Sequence, residues 1–236
     1  MHANVLTIFP ELFELPLRTS ILGRAREAGR FSARIVDLRD FAQGPHRQVD
    51  DYPYGGGGGM VMKPEPIFRA IESLDPGRGR VVLLSARGAR FDHATAVRLS
   101  LQPVLTFVCG HYKDVDERVR EAVVDEEISL GDFVLSGGEL ACLAVLDAVV
   151  RLLPGVLGDF DSAQGDSFYD RILGAPSYTR PAEFRGMRVP DVLLSGDHAA
   201  VGRWREERAL DLTRRNRPDL LEDHAAPSLD TPPGRA

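Results

Sequence analysis

The sequence predicts an α/β fold built on a largely parallel sheet with helices on both of its faces. Five short apolar runs alternate with stretches of helical periodicity, and this alternation is typical of parallel sheets. The runs are mostly too apolar to have a solvated face, so we expect them at the centre of the sheet. They are Val5–Phe9, Ala33–Val36, Val81–Leu84, Val104–Cys109 and Glu127–Leu130.

Helices are predicted in the segments that follow these runs. The last of them is apolar along its whole length, which is typical of a helix buried in a core or an interface. The predicted helices are Glu11–Ala28, Glu65–Leu74, His93–Leu101, Val115–Ala122 and Gly138–Leu153.

The chain is long enough for one sizeable core and a smaller appendage. It has 236 residues, of which 43% are hydrophobic. Residues 1–157 are predicted to form the α/β domain. Residues 158–175 combine aspartates with small residues and follow neither a helical nor a strand period, so we expect a flexible linker there.

A small helical domain is predicted at residues 176–224. Its first part, Pro176–Pro190, is expected to be irregular. Asp197 is expected to cap a helix that runs to about Leu210, and Pro218 to begin another. Residues 225–236 contain three prolines and little apolar surface, so we expect disorder in this tail.

Three glycine-bearing loops beside apolar runs point to a ligand held by backbone groups. They are Gly55–Gly59, Leu84–Gly88 and Gly131–Gly138. The chain contains no Gly-Lys pair for a P-loop, and its glycine run does not follow a strand as a dinucleotide fingerprint does. Because ligands of such sheets bind beyond the carboxyl ends of strands, we expect the binding loops at those ends.

Composition narrows the class of protein. The net charge of −6 disfavours nucleic-acid binding. The clustered arginines are compatible with two interpretations, an RNA-binding face and an ordinary solvated helix surface. Cys109 and Cys142 are predicted to be buried thiols in a reducing compartment. With no signal peptide and no long apolar run, we expect a soluble cytoplasmic protein. The six histidines lack ligand spacing, so no metal site is assigned.

Six strings in a fixed order carry a family resemblance over nearly the whole chain. They are YGGGGGMVMKPEP at Tyr54–Pro66, SLGDFVLSGGEL at Ser129–Leu140, RLLPGVLG at Arg151–Gly158, DSF at Asp166–Phe168, YTRP at Tyr178–Pro181 and VPDVLLSGDH at Val189–His198. On these strings the chain resembles the bacterial tRNA (guanine-N1)-methyltransferase family, TrmD.

The resemblance implies a fold, a reaction and an assembly. The fold is a SPOUT-type α/β domain with a deep trefoil knot, joined to a small all-α C-terminal domain. The reaction is methylation of guanine 37 beside the anticodon of tRNA. The family works as a homodimer whose active site is shared between subunits.

The resemblance also implies S-adenosyl-L-methionine as the cofactor, held in the knot loops. Glycine at strand ends lets backbone groups approach the edges of a flat adenine ring, which agrees with this expectation. The implied cofactor-binding residues are Ser85, Gly88, Gly110, His111, Leu130, Gly131, Asp132, Phe133, Val134, Leu135, Gly137 and Gly138.

Two catalytic residues follow from the same resemblance. Asp166 matches the family's DSF aspartate and is expected to remove the N1 proton of guanine as general base. Arg151 matches the arginine before the PGVLG turn and is expected to stabilise negative charge on O6. Without the resemblance, Asp166 would be a solvated loop residue and Arg151 a helix C-terminal arginine.

RNA contacts are expected mainly from the C-terminal domain. Trp204 is interpreted as a core anchor of that domain in preference to a base-stacking platform. The candidate contacts are Arg180, His198, Trp204 and the arginines of Arg203–Arg217, with His46 and Arg47 before the glycine run.

One loop departs from the family pattern. Where many members read CGRYEG, this chain has CGHYKD at Cys109–Asp114. The replaced glutamate is a proposed partner of magnesium in the family. We therefore hypothesise that Lys113 takes the place of the cation and that the reaction here needs no metal.

Two other functions are compatible with parts of the pattern. A different knotted RNA methyltransferase would share the cofactor loops but should lack the DSF and YTRP strings. A non-catalytic RNA-binding protein would be favoured if the altered loop at His111–Asp114 no longer bound cofactor.

Overall fold

The computed structural model describes residues 1–157 and 165–222 of the chain. The chain divides into two compact units between Gly158 and Asp159. Part of the predicted linker, residues 158–164, and the whole predicted tail, residues 225–236, lie outside the described residues. Each unit is described by itself below.

The first unit is built on a five-stranded parallel sheet with the order β2-β1-β6-β5-β8. The prediction of a central parallel sheet is therefore confirmed. Each predicted apolar run falls within or overlaps a strand. The strands are β1 (His2–Thr7), β2 (Ser32–Asp37), β5 (Arg80–Arg90), β6 (Val104–Cys109) and β8 (Glu126–Ser129).

Helices cover both faces of this sheet because alternate strand residues point to opposite sides. Val82 and Leu84 of β5 pack with α5 in one buried cluster, while Val81 and Leu83 pack with α2 in another. The helices of the unit are α1 (Ser20–Glu27), α2 (Pro64–Glu72), α3 (His93–Ser100), α4 (Glu117–Val123) and α5 (Glu139–Val150).

The predicted helix Glu11–Ala28 is wrong in its first half. Two short 3₁₀ turns, Pro10–Phe13 and Pro16–Arg18, precede the α-helix, which begins only at Ser20. Pro16 cannot donate a helical hydrogen bond and starts a new turn instead. The apolar residues of the segment still reach the core, since Phe13 and Leu17 are buried.

A second, three-stranded sheet was missed by the sequence prediction. Its strands are β3 (Asp50–Asp51), β4 (Val61–Met62) and β7 (Asp114–Val115). Each has two residues, which is too short for a periodic signal. β4 pairs with β7 in parallel, so the end of the glycine run is attached to the loop that follows β6.

The predicted loop Ser85–Gly88 does not end its strand. Leu84 and Ala89 both pair with Ile128 of β8, so the four residues between them bulge out of a strand that continues to Arg90. The bulge projects from the sheet beside the carboxyl ends of β6 and β8.

The second unit is not all-helical, contrary to prediction. It contains α6 (Asp191–Leu194), α7 (His198–Asn216) and α8 (Asp219–Glu222), and also an antiparallel hairpin of β9 (Glu183–Phe184) and β10 (Met187–Arg188). Arg185 and Gly186 make the hairpin turn with positive φ values of 51° and 78°. Short strands of mixed composition give no alternating pattern, which is why this segment was predicted to be irregular.

The helix α7 begins as predicted and ends later. Asp197 caps it by accepting hydrogen bonds from the backbone N–H groups of Ala199 and Ala200, both at 3.0 Å. The helix continues to Asn216, beyond the expected end at Leu210. Among residues 1–157 and 165–222, no helix combines the length and apolar character needed to cross a bilayer.

Candidate functional site

A cleft of about 220 Å³ lies at the bulge of β5 and at the carboxyl ends of β6 and β8 in the first unit. We call it the carboxyl-end cleft. Its walls are the β5 bulge, the loop after β6 and the loop between β8 and α5. It is lined by Leu84–Arg87, Gly110–Asp114, Ile128–Leu130, Phe133–Gly138 and Ala141.

Glycine is required where two of these loops meet. The Gly138 N–H donates to the Gly110 carbonyl oxygen at 2.7 Å, and His111 forms an isolated antiparallel bridge with Gly137. A Cβ at Gly138 would lie 2.9 Å from Cα of Cys109. Because no other residue fits there, the two loops present their backbone groups side by side to the cleft.

The imidazole of His111 lies between two aromatic rings. The rings of Phe9 and Tyr112 meet it edge-on, with centroid distances of 4.9 and 5.2 Å. The His111 backbone N–H is 3.1 Å from the sulfur of Met62 in β4. These contacts hold the ring at the wall of the cleft.

An arginine of the β5 bulge forms ion pairs with three carboxylates at the rim of the cleft. The Arg87 guanidinium is 3.2 Å from Asp114, 3.3 Å from Glu117 and 3.7 Å from Glu127. Asp114 thereby gains an ion pair. The charge of Arg87 is shared among three carboxylates and is not free for a ligand.

Lys113 is differently placed. Its backbone N–H donates to the Met60 carbonyl oxygen at 3.0 Å, and its side chain lies over the glycine run, where a Cβ on Gly57 would be 3.5 Å from Nζ. In the described part of the chain, its ammonium group has no ion-pair partner within 4.0 Å. Lys113 is therefore a cation at the rim that is available to a ligand.

The two cysteines are free and buried, as predicted. Burial raises the pKa of the Cys109 thiol well above its ordinary value, and the neighbouring Cys142 and Glu139 add to the shift. A thiol with a raised pKa is a poor nucleophile at neutral pH. Cys109 therefore serves as packing beneath the cleft.

Nine of the twelve residues expected to bind cofactor line the cleft, and Gly88, Gly131 and Asp132 do not. Gly88 is packed against the backbone of β8, where a Cβ would lie 2.4 Å from the nitrogen of Ile128. Gly131 lies in a turn in which its carbonyl oxygen accepts from the Phe133 N–H at 2.8 Å. The nine are Ser85, Gly110, His111, Leu130, Phe133, Val134, Leu135, Gly137 and Gly138.

Other lining residues had no signal in the sequence. Leu84, Ile128 and Ala141 belong to apolar runs and are indistinguishable there from ordinary core residues. They form the floor of the cleft because the β5 bulge, the end of β8 and the first turn of α5 meet there. Within the described ranges, no three His, Cys, Asp or Glu side chains are grouped as a metal ion would require.

The two predicted catalytic residues lie in different units. Arg151 is the C-cap residue of α5, where its backbone N–H reaches the Asp147 carbonyl oxygen at 3.3 Å, and it does not line the cleft. Asp166 is exposed in the second unit. Its carbonyl oxygen accepts from the Tyr169 N–H at 3.4 Å.

The segment around Asp166 is hydrogen-bonded to the rest of the second unit. The Leu173 N–H donates to Oγ1 of the buried Thr213 in α7 at 2.9 Å, and the Gly174 N–H donates to Oγ of Ser167 at 2.9 Å. The guanidinium of Arg217 lies 5.7 Å from the ring centroid of Phe168. The flexibility predicted for this segment stays a prediction.

Asp166 also lines a cavity of about 720 Å³ within the second unit. We call it the second-unit cavity. Arg180 and Arg205 line it too, and the guanidinium group of neither has an ion-pair or hydrogen-bond partner among the described residues. The ring of Tyr178 lies 6.2 Å from that of Trp204, which is only half-buried, so its role as a core anchor stays a prediction.

Comparison with known proteins matches the sequence of this chain to one family over most of its length. The family profile for tRNA (Guanine-1)-methyltransferase TrmD matches residues 1–223. A tRNA (guanine-N(1)-)-methyltransferase of Geobacter sulfurreducens is 53% identical over 232 residues, which cover 98% of this chain and 95% of the relative.

Two further relatives carry the same name. The Staphylococcus aureus protein (strain MRSA252) is 51% identical over 231 residues, covering 98% of this chain and 94% of its own. The Moorella thermoacetica protein is 53% identical over 225 residues, which cover 94% of this chain and 90% of the relative. The similarity thus includes both units.

Proposed function

Because the chain belongs to the tRNA (guanine-1)-methyltransferase family TrmD, we propose that it moves a methyl group from S-adenosyl-L-methionine to N1 of guanine 37 in tRNA. The observation that carries the proposal is the family match across residues 1–223, which spans both units. A family member needs a methyl donor, a guanine in tRNA and groups that handle the N1 proton.

The carboxyl-end cleft is the proposed place of the methyl donor. Its apolar floor suits the face of an adenine ring, and the adjoining backbone groups of Gly110 and Gly138 suit the polar edge of that ring. Lys113 offers positive charge to the carboxylate of the amino-acid part. When bound, S-adenosyl-L-methionine supplies an electrophilic methyl group carried by a sulfonium.

Asp166 is the proposed general base. N1 of guanine carries a proton and its lone pair is part of the ring system, so the proton has to leave as the nitrogen attacks. The exposed carboxylate of Asp166 accepts it. Loss of the proton places negative charge on O6, where the guanidinium of Arg151 stabilises the transition state more than the ground state.

The second unit is the proposed tRNA-binding part. The unpartnered guanidinium groups of Arg180 and Arg205 at the second-unit cavity suit the phosphates that flank the target nucleotide. The target base has to leave its stack, which costs a few kcal/mol, and phosphate contacts offset that cost. Asp166 in the same cavity wall would then meet the extruded base.

The proposal includes a homodimer and a knotted chain. The two catalytic residues belong to different units, and in the proposed dimer the second unit of one protomer completes the cleft of its partner. Phe133, Val134 and Leu140 are exposed apolar residues near the cleft and are suitable for burial in such an interface. The SPOUT-type trefoil knot would hold the loops of the cleft against one another.

Mass spectrometry of an unmodified tRNA transcript tests the proposal. The protein is incubated with the transcript and S-adenosyl-L-methionine, and the nucleotides are then mapped. The expected product is a single 1-methylguanosine at position 37. A methyl group at another position or on a ribose would identify a different RNA methyltransferase. No methylation, together with no calorimetric binding of S-adenosyl-L-homocysteine, would favour the non-catalytic RNA-binding protein.

A further inference from the structure

A buried acid lies directly beneath the carboxyl-end cleft. Glu139 is the first residue of α5 and is 2% exposed. A buried carboxyl group needs hydrogen-bond partners, since the loss of water is otherwise costly. The partners of Glu139 come from the end of β1 and from the loop after β6.

Thr7 at the end of β1 engages one oxygen of this acid. Its Oγ1 donates to Oε1 of Glu139 at 2.9 Å, and the same hydroxyl accepts the Phe9 backbone N–H at 2.9 Å. A hydroxyl has one proton, and the Phe9 N–H can only donate. The Thr7 proton is therefore directed at Glu139, and the second carboxyl oxygen is left for another partner.

That second oxygen faces His111. Oε2 of Glu139 is 3.5 Å from Nδ1 of His111, and Nδ1 is buried without a hydrogen bond to any described residue. The gap exceeds an ordinary N–H···O distance by a few tenths of an ångström. It lies over Gly137, where a Cβ would be 2.2 Å from Nδ1 and 2.3 Å from Oε2. Glycine is therefore required at position 137, because any side chain there would collide with both Oε2 of Glu139 and Nδ1 of His111.

We propose that Glu139 is a positioning residue that sets the tautomer of His111. Its carboxylate accepts the proton of Nδ1–H, so the neutral ring presents the lone pair of Nε2 to the cleft that His111 lines. Nε2 then accepts a hydrogen bond from a hydroxyl or amino group of the bound ligand. The ligand part of this inference rests on the proposed function, since adenosyl amino acids carry both kinds of donor.

The tautomer is tested without any ligand. In protein labelled with ¹⁵N-histidine, long-range ¹H–¹⁵N spectra at alkaline pH report which ring nitrogen of the neutral imidazole carries the proton. His111→Ala identifies the His111 signals by their loss. The expected result for the wild-type protein is protonation at Nδ1. A neutral ring protonated at Nε2 would overturn the proposal.

Glu139→Gln should invert the tautomer. Because the Thr7 proton is directed at residue 139, the glutamine carbonyl has to face Thr7 and its NH₂ group has to face Nδ1. Nδ1 then becomes an acceptor and the ring proton moves to Nε2. An unchanged tautomer in a folded Glu139→Gln protein would contradict the inference. The wild-type measurement stands on its own if that variant does not fold.

Calorimetric titration with S-adenosyl-L-homocysteine tests the consequence for binding. Glu139→Gln should weaken binding about tenfold, the equivalent of one hydrogen bond. The exposed Glu72→Gln serves as the matched control and should bind like the wild-type protein. In the double variant with His111→Ala, the Glu139 substitution should have no further effect.

The outcomes separate this inference from the proposed function. If the effects of Glu139→Gln and His111→Ala add in full, Glu139 does not act through His111 and the inference fails. If the wild-type protein does not bind S-adenosyl-L-homocysteine, the proposed function fails, while the tautomer measured in the free protein still decides the role of Glu139.

Discussion

Gly88 lies so close to Glu127 that no side chain fits between them. A Cβ on Gly88 would come within 2.4 Å of the carbonyl carbon of Glu127. This contact marks the place where β5 returns to β8 after its bulge. By allowing two strand backbones to meet, Gly88 closes the bulge that forms one wall of the carboxyl-end cleft, and it does not line the cleft itself.

Gly88→Ala should destabilise the first unit. The added methyl group would force the strand backbones apart, and overpacking of this kind costs about 1–3 kcal/mol. Urea denaturation measures the loss in the free energy of unfolding. Gly58→Ala is the matched control, because a Cβ there meets nothing within 4 Å and its φ is not positive. Equal stability of the two variants would show that the strands part without cost.

Asp166→Asn should slow methyl transfer without weakening cofactor binding. Removal of a general base typically lowers the rate by about 10²–10⁴-fold. Single-turnover transfer to a tRNA transcript measures the rate, and calorimetry with S-adenosyl-L-homocysteine measures the binding. Asp170→Asn, an exposed neighbour in the same segment, should keep the wild-type rate. Transfer at full speed by Asp166→Asn would exclude it as the base.

Lys113→Ala should weaken the binding of S-adenosyl-L-homocysteine about threefold. A solvent-exposed cation contributes roughly 0.5–1 kcal/mol to the binding of an anion, since water screens it. Calorimetric titration measures the change, and Lys63→Ala, which does not line the cleft, serves as the control.

The role of Lys113 also predicts how the enzyme responds to a chelator. If its ammonium takes the place of a cation, methyl transfer should continue at the same rate in excess EDTA. Loss of activity in EDTA, restored by added magnesium, would refute metal independence.

Glu126 should make stability depend on pH in the acid range. Burial alone would raise the pKa of Glu126, but hydrogen bonds and charge from Arg98 and Arg80 outweigh it and hold the pKa below its usual value. Its stabilising contribution is therefore present above the unfolded pKa of about 4.3 and is lost as the pH falls through the lower folded pKa. Urea denaturation between about pH 6 and 3 measures it.

Two glutamine variants test this pH dependence, one at Glu126 and one at Glu72 as the control. Glu126→Gln should lose stability less steeply than the wild-type protein on acidification, because it has no carboxylate to protonate at that site. Glu72→Gln, at an exposed residue that ends α2, should follow the wild-type curve. Parallel curves for Glu126→Gln and the wild type would show that the two arginines do not stabilise the carboxylate.

Local periodicity predicted the central sheet well and its surroundings less well. The runs around Val81–Leu84 and Val104–Cys109 are strands because apolar β-rich segments have few other ways to bury both faces. The helix predicted at Glu11–Ala28 was too long because the apolar spacing continues across Pro16. In the structure, Pro16 begins a separate 3₁₀ turn. The two-residue strands and the hairpin at Arg185 were missed because a period needs more residues than they have.

The cleft was predicted in outline through the glycine loops and the family strings, but not in detail. Gly88 and Gly138 look alike in the sequence, yet Gly88 packs between strands and Gly138 borders the cleft. Leu84 and Ala141 line the cleft although they belong to ordinary apolar runs. Which of these residues meets a ligand depends on where the strands end relative to one another.

The sequence alone was enough to predict the alternation of strands and helices and the chain's membership of one family, because both can be recognised from short segments of neighbouring residues. Tertiary structure alone decided that Thr7, His111 and Glu139 meet beneath the cleft. These three residues lie at the end of β1, after β6 and at the start of α5. Contacts between residues so far apart in the chain arise from strand order and register, which no local pattern contains.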